Sequence, residues 1–183
     1  MARRTVEVKI KVDTKDFQAQ MRSINQEFWE IWLGGIDLVI GREMDQIKAH
    51  YQEDLPNECV GLIWNTGEIQ RLRNQASSPT RFSISKAQLA ERLAEKDVDN
   101  SDCYLMAIYH SHPGGNTLLS KADARSFRAQ HQNGLEVPWL IVTESNARLW
   151  FIERENGELT DKIGSFYIGK CPRPRPMTTA EMD

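Results

Sequence analysis

Met106-Ala-Ile-Tyr-His110-Ser-His112-Pro-Gly-Gly-Asn-Thr-Leu-Leu-Ser120-Lys-Ala-Asp123 is the run on which the rest of the chain depends. It opens as an apolar strand, placed at Tyr104 to Tyr109, and then presents two histidines two residues apart. Side chains alternate faces along a strand, so His110 and His112 point the same way. Pro113, Gly114 and Gly115 end the strand and let the backbone turn sharply. Ser120 and Asp123 follow at the start of a helical pattern. Two imidazoles at a strand end and a carboxylate returning from the next helix make three protein ligands, the number a catalytic zinc takes while keeping one position open for water.

Each half of that set also has an ordinary reading. Two histidines at a strand end need no ligand, and Ser120-x-x-Asp123 is a capping-box pattern for the helix it begins. The other histidines, His50 and His131, have no comparable neighbours in sequence and are expected on the surfaces of helices.

Outward from this run, Pro138 to Thr143 and Arg148 to Glu153 read as strands joined by a turn at Glu144 to Ala147. A last strand is placed at Ser165 to Ile168. Upstream, Glu58 to Trp64 is a buried strand headed by an acid, which is ordinarily a solvated edge residue. Asn65-Thr66-Gly67 turns the chain into a hairpin partner at Glu68 to Arg73. Asn74 to Thr80 is loop and Arg81 to Ile84 a short strand. Ser85 caps a helix carrying Leu89 and Leu93, and Val98 to Asp102 is a polar turn.

Near the start, Thr5 to Val12 alternates Val-Glu-Val-Lys-Ile-Lys-Val, a half-exposed strand pattern. Asp13, Thr14 and Asp16 offer caps for a helix in which Phe17, Met21, Ile24, Phe28 and Ile31 form a heptad-like seam widened by Trp29 and Trp32. That seam packs on its own domain or docks a partner or second copy. Gly34 and Gly35 are expected to stop the helix. A strand at Ile36 to Ile40 and a helix from Arg42 to Glu53 then follow. These elements give an α/β fold: one mixed, curved sheet in an α-β-α sandwich over residues 36–169. Residues 1–35 form a strand-helix extension, and residues 170–183 a Pro-rich flexible tail.

The chain has 183 residues, 40% hydrophobic and 27% charged, with a net charge of −3. That size suits one core. The charge argues against nucleic acid or an anionic membrane as the main partner. No apolar run approaches a transmembrane span, the N-terminus lacks a secretion signal's apolar core, and three scattered cysteines make no disulfide framework. The expected setting is a reducing cytoplasm.

His110-Ser-His112-Pro, seven residues, Ser120 and then Asp123 resemble the JAMM motif of JAB/MPN-domain zinc metalloproteases. Pro56-Asn-Glu58-Cys-Val-Gly61 resembles that family's upstream glutamate block, and Asn74, Pro79 and Phe82 its intervening loop. The resemblance runs from Ile36 to Glu153 and implies the cytidine-deaminase-like JAB/MPN fold. It implies one zinc per chain on His110, His112 and Asp123, with Glu58 as general base and Ser120 as oxyanion donor. It also implies a polypeptide substrate, such as a ubiquitin-like C-terminal tail. Eukaryotic members that cut ubiquitin chains carry a longer insertion where this chain has only Gln132 to Val137, which argues against polyubiquitin. The run through Arg125, with Val137-Pro-Trp-Leu-Ile-Val, is similar to the N-terminal domain of lambda-type phage tail assembly proteins, implying a stand-alone phage or bacterial member. Alternatives are a tail structural or assembly protein that mainly binds partners, and a small-molecule or cell-wall amide hydrolase.

Overall fold

The computed structural model describes residues 14–99, 103–155 and 158–170, with the backbone alone described for 14–28, 97–99 and 158–159. Three helices and six strands run in the order α1 (Thr14–Asp54), β1 (Val60–Trp64), β2 (Ile69–Leu72), α2 (Lys86–Asp99), β3 (Leu105–Ser111), α3 (Lys121–Gln132), β4 (Trp139–Val142), β5 (Ala147–Glu155) and β6 (Glu158–Tyr167). The strands form one sheet in the order β2-β1-β3-β4-β5-β6. Only β3 and β4 are parallel, and α3 is their crossover. The other four pairings are antiparallel.

Strand alternation sorts the apolar residues into two cores. Ile63, Tyr109, Leu140, Leu149 and Phe166 meet α1 on one face. Leu62, Trp64, Ile108, Trp139 and Ile152 meet α2 and α3 on the other, with Phe127, Leu89 and Leu93 supplied by the helices. The fold is the expected α/β sandwich with a mixed sheet. Because β3 is central and buried along its whole length, its C-terminal end is rigidly placed, and the candidate ligands sit there.

Several expectations about elements are corrected. Gly34 and Gly35 do not stop α1, and Ile36–Ile40 is not a strand: the helix continues through both and through Gly41 for 41 residues. Leu33, Ile36, Ile40, Ile47 and Tyr51 are buried at helical spacing against the sheet. That burial outweighs the cost of about 1 kcal/mol per interior glycine. A short apolar run is ambiguous between strand and buried helix, and here the helix wins. Arg81–Ile84 is not a strand either. It joins no ladder, being held by backbone bonds from Gln75 N–H to Ser83 O and from Arg81 N–H to Ser78 O and by the Asn74 side chain. The turn placed at Val98 to Asp102 begins two residues too early, since α2 continues to Asp99. The last strand is longer than expected, beginning at Glu158.

The expected strand at Thr5–Val12, the tail from Cys171 and the side chains of the seam from Phe17 to Phe28 lie outside the described residues. At the seam's described end the residues diverge. Trp29 and Trp32 stack at 4.7 Å and pack on the α1 core, whereas Ile31 is 60% exposed. Among the described residues, no helix is long and apolar enough to cross a membrane.

Candidate metal centre

His110 lies near the end of β3 and His112 directly follows it, and their shared face brings Nε2 of each to 3.1 Å from the other. Two imidazole nitrogens that close cannot both present bare lone pairs; a proton or a cation must lie between them. His112 Nδ1 is 2.8 Å from the Asn116 carbonyl, which only an Nδ1–H can satisfy, leaving the Nε2 lone pair for a ligand. That carbonyl belongs to the loop opened by Pro113, Gly114 and Gly115. The loop is held in turn by the Trp150 indole N–H, which donates to Thr117 O at 2.9 Å. Asn116 acts through its backbone, so no side-chain motif announces it.

His110 is fully buried between rings, stacked on Phe82 at 4.3 Å and edge-on to Trp139 at 5.4 Å. Its Nδ1 is buried with no hydrogen-bond partner among the described residues. Burial pushes its pKa down to about 3, His112 pushes the same way and Asp123 opposes. The imidazole is therefore neutral at ordinary pH, the form a metal requires.

Asp123 arrives from α3. Ser120 is the N-cap, its Oγ accepting from Asp123 N–H at 3.1 Å while its own N–H donates to Asp123 Oδ2 at 2.9 Å. This capping box orients the carboxylate. Oδ2 lies 3.4 Å from His112 Nε2 and Oδ1 4.0 Å from His110 Nε2. Burial works to raise the Asp123 pKa, but hydrogen bonds from His112 and Ser120 hold it well below the carboxylate range. For His112, burial works to lower the pKa, yet Asp123, the Asn116 carbonyl and Glu58 raise it above its ordinary value. The Ser120 hydroxyl is exposed, and its proton remains free to donate.

Glu58 precedes β1, which pairs with β3 so that Val60 faces His110. Its carboxylate oxygen and the two imidazole nitrogens lie within 4.8 Å of one another. The side chain is 6% exposed. Burial pushes its pKa up to about 7, with His112 pulling down and Asp123 adding to the rise. Its backbone is clamped on both sides: the N–H donates to Pro79 O at 3.1 Å, and the carbonyl accepts from Asn74 Nδ2 at 2.8 Å.

The five residues singled out in the sequence, Glu58, His110, His112, Ser120 and Asp123, thus come from four segments to one place. Four of them, all but the fully buried His110, line a single cleft of about 1300 Å³. A tetrahedral zinc with bonds of about 2.0–2.1 Å separates its ligand atoms by about 3.3 Å. The 3.1 Å between His110 and His112 and the 3.4 Å from His112 to Asp123 Oδ2 fit that group, while the other carboxylate oxygen, Oδ1, stands 4.0 Å from His110. Glu58 is also close enough to ligate. Asp123 is held ionised by its hydrogen bonds, whereas burial leaves Glu58 with a pKa of about 7.

His50 is not a surface residue, correcting that expectation. It is 4% exposed behind β3, with Nδ1 2.7 Å from the Tyr109 hydroxyl and Nε2 3.3 Å from Asp54. His131 is half-buried against Phe127 at 4.6 Å rather than exposed.

The family described as prokaryotic homologs of the JAB domain matches residues 42–153. The chain belongs to it. A probable TtuB-protein conjugate cleaving protease from Thermus thermophilus is 30% identical over 64% of this chain and 78% of its own length. Tail tip assembly protein K of Escherichia phage N15 is 31% identical over 70% of this chain. The chain spans about half of that phage protein, 49%. A Desulfitobacterium hafniense protein of known solution structure is 22% identical, with a TM-score of 0.49 over 68% of this chain and 86% of its own. In this JAB chain the connection from α3 to β4 is short, residues 133–138, with Gln130 Nε2 donating to Leu135 O and Val137 O.

Proposed function

We propose that this JAB-family chain is a zinc peptidase that hydrolyses an amide bond at or after the C-terminus of a polypeptide, either ubiquitin-like or part of a phage tail assembly. The observation that carries the reading is the convergence of two imidazoles, Asp123 and a buried, proton-poised Glu58 at one end of the cleft. Its support from relatives is a protein-conjugate cleaving protease and a tail tip assembly protein, each about 30% identical.

His110, His112 and Asp123 would hold one zinc. When bound, zinc supplies Lewis acidity that makes water nucleophilic near neutral pH and polarises an amide carbonyl. The rest is the work of this chain's own groups. Glu58 takes a proton from the attacking water and returns it to the leaving amine. Ser120 Oγ–H donates to the oxygen that gains negative charge as the carbonyl becomes tetrahedral, while the same Oγ keeps accepting from Asp123 N–H. Asn116 fixes the tautomer of His112. Phe82 and Trp139 exclude water from His110.

The test combines metal content with turnover. Purified protein should carry about one zinc per chain, and His112→Ala should lose it. Glu58→Ala should keep the zinc and lose hydrolysis of a linear or isopeptide-linked fusion by at least about a hundredfold. Turnover that survives Glu58→Ala removes that residue as the base, and absence of zinc in the wild-type protein overturns the reading altogether.

A further inference from the structure

The walls of the cleft carry a charge that the chemistry at its end does not require. Arg81 and Lys86 line one side, contributed by the loop before α2 and by its first residue; Lys121 and Arg125 line the other, from the first turns of α3. All four are exposed. Four other cations of the fold are paired, Arg71 with Glu53, Arg92 with Glu95, Lys96 with Glu68 and Arg154 with Glu136, whereas Arg42, Lys48, Arg73 and Arg128 are scattered and, among the described residues, unpaired like those of the cleft. Among the described residues, none of the four cleft cations forms an ion pair. Among the described residues, the acids lining the cleft are Glu58 and Asp123, both part of the candidate metal centre. The cleft is therefore positive in a chain whose net charge is −3.

Folding does not account for this placement. Lys86 and Lys121 are the first residues of their helices, where the helix dipole favours acids and makes a cation mildly unfavourable. The first turn of α2 has no acidic residue at all. Between the charged walls lie half-buried Phe82, Ile84, Leu89, Leu119 and Leu135, an apolar lining.

We propose that the cleft selects a polypeptide segment in which acidic side chains flank apolar ones, the acids meeting Arg81 and Lys86 on one wall and Lys121 and Arg125 on the other. The proposal rests on the peptidase reading and adds the substrate's chemistry to it. Complementary charge of this kind raises the encounter rate and rejects basic segments. A peptide is favoured over a nucleic acid because the cleft ends in groups suited to amide hydrolysis. Its two aromatic carbocycles among the described residues, half-buried Phe82 and buried Trp139, are already packed on His110 rather than open for a base to stack on.

The experiment is binding to the full chain carrying Glu58→Gln, which separates recognition from turnover. Two fluorescent peptides of equal length and the same apolar residues are compared, one bearing Asp and Glu, the other Lys and Arg. The acidic peptide should bind at least about tenfold tighter at low salt, and the preference should shrink as salt screens it. Lys121→Glu with Arg125→Glu should abolish or reverse the preference, as should Arg81→Glu with Lys86→Glu on the facing wall; far-ultraviolet circular dichroism checks that each pair folds. Equal affinity for the two peptides, or a preference untouched by both reversals, overturns the proposal. An oligothymidylate that displaces the acidic peptide at equal concentration also overturns it, in favour of nucleic acid. A preference that holds although the wild-type protein cleaves neither peptide leaves this inference standing and defeats the peptidase reading. Equal cleavage of both peptides does the reverse.

Discussion

Asn74 shows how much a single side chain holds at this site. Its amide donates to the Glu58 carbonyl at 2.8 Å and to Arg81 O at 2.9 Å, and its Oδ1 accepts from Ala76 N–H at 2.9 Å and Ser83 N–H at 3.0 Å. Those four bonds tie the backbone of the proposed base to the loop that carries Phe82, which itself stacks on His110. Asn74→Ala should therefore cost about 1–3 kcal/mol of stability through unpaired groups and lower kcat roughly tenfold or more with zinc content unchanged. Asn74→Asp, which keeps the acceptor half, should lose less of both. Urea unfolding and steady-state kinetics on the same preparations decide it: stability lost with kcat intact would reduce Asn74 to a loop fastener. Of this neighbourhood, the identities of Glu58, His110, His112, Ser120 and Asp123 were legible because their spacing repeats a motif. The work of Asn116 was not, since it accepts the His112 Nδ1–H hydrogen bond through a carbonyl that every residue possesses. The four cleft cations were equally hidden, being contributed by segments about 40 residues apart that only the fold brings together.

Among the elements, α1 and β1 use glycine in opposite ways. Gly35 sits exposed in the middle of α1, and a Cβ built there meets nothing within 4 Å. Gly61 lies in β1 against β3, where a Cβ would fall 2.4 Å from Cε1 of the Tyr109 ring. Gly35→Ala is thus expected to stabilise the fold by about 0.5–1 kcal/mol through helix propensity. Gly61→Ala should destabilise it by about 1–3 kcal/mol by forcing Tyr109 aside. The urea midpoints of the two variants should move in opposite directions; a Gly35→Ala variant less stable than wild type would show that the outer face of α1 is tightly covered. The same contrast explains what the chain's pattern could and could not convey. The hairpin of β1 and β2, and the passage from β3 through the loop to α3, follow local turn and capping chemistry, so their elements were readable. The continuity of α1 was not, because Gly34 and Gly35 obey a local stop rule that burial of Leu33, Ile36 and Ile40 overrides.

At the scale of the whole molecule, the sheet separates two chemistries that share one strand. On one face of β3, His110 belongs to the cleft. On the other, Tyr109 reaches His50 beneath α1, closing a buried polar chain from Tyr109 through His50 to Asp54. Burial pushes the Tyr109 phenol well above its ordinary pKa, so its O–H donates to His50 Nδ1 and the imidazole directs Nε2–H toward Asp54. For His50 itself, burial is the largest influence and lowers the pKa; Asp54 and Glu53 oppose, and Arg71 adds to the lowering. A histidine whose folded pKa is depressed contributes stability that is fully present above its unfolded value of about 6.5 and is lost as pH falls through that value, because the unfolded chain then binds the extra proton. His50 accordingly pushes the thermal midpoint down between pH 7.5 and pH 5.5, against the opposite push of Glu58 and His112, whose folded pKa values are raised. In His50→Gln, whose side-chain carbonyl can still accept from Tyr109, the midpoint should fall less; the remaining slope comes in part from His110 and His131, also depressed by burial. Differential scanning calorimetry of metal-free protein, wild type beside variant, measures the difference in slope directly. Equal slopes would mean that His50 titrates alike in the folded and unfolded states. A steeper fall in the variant would mean that Asp54 outweighs burial and that the group behind the metal strand is a cation in the native fold.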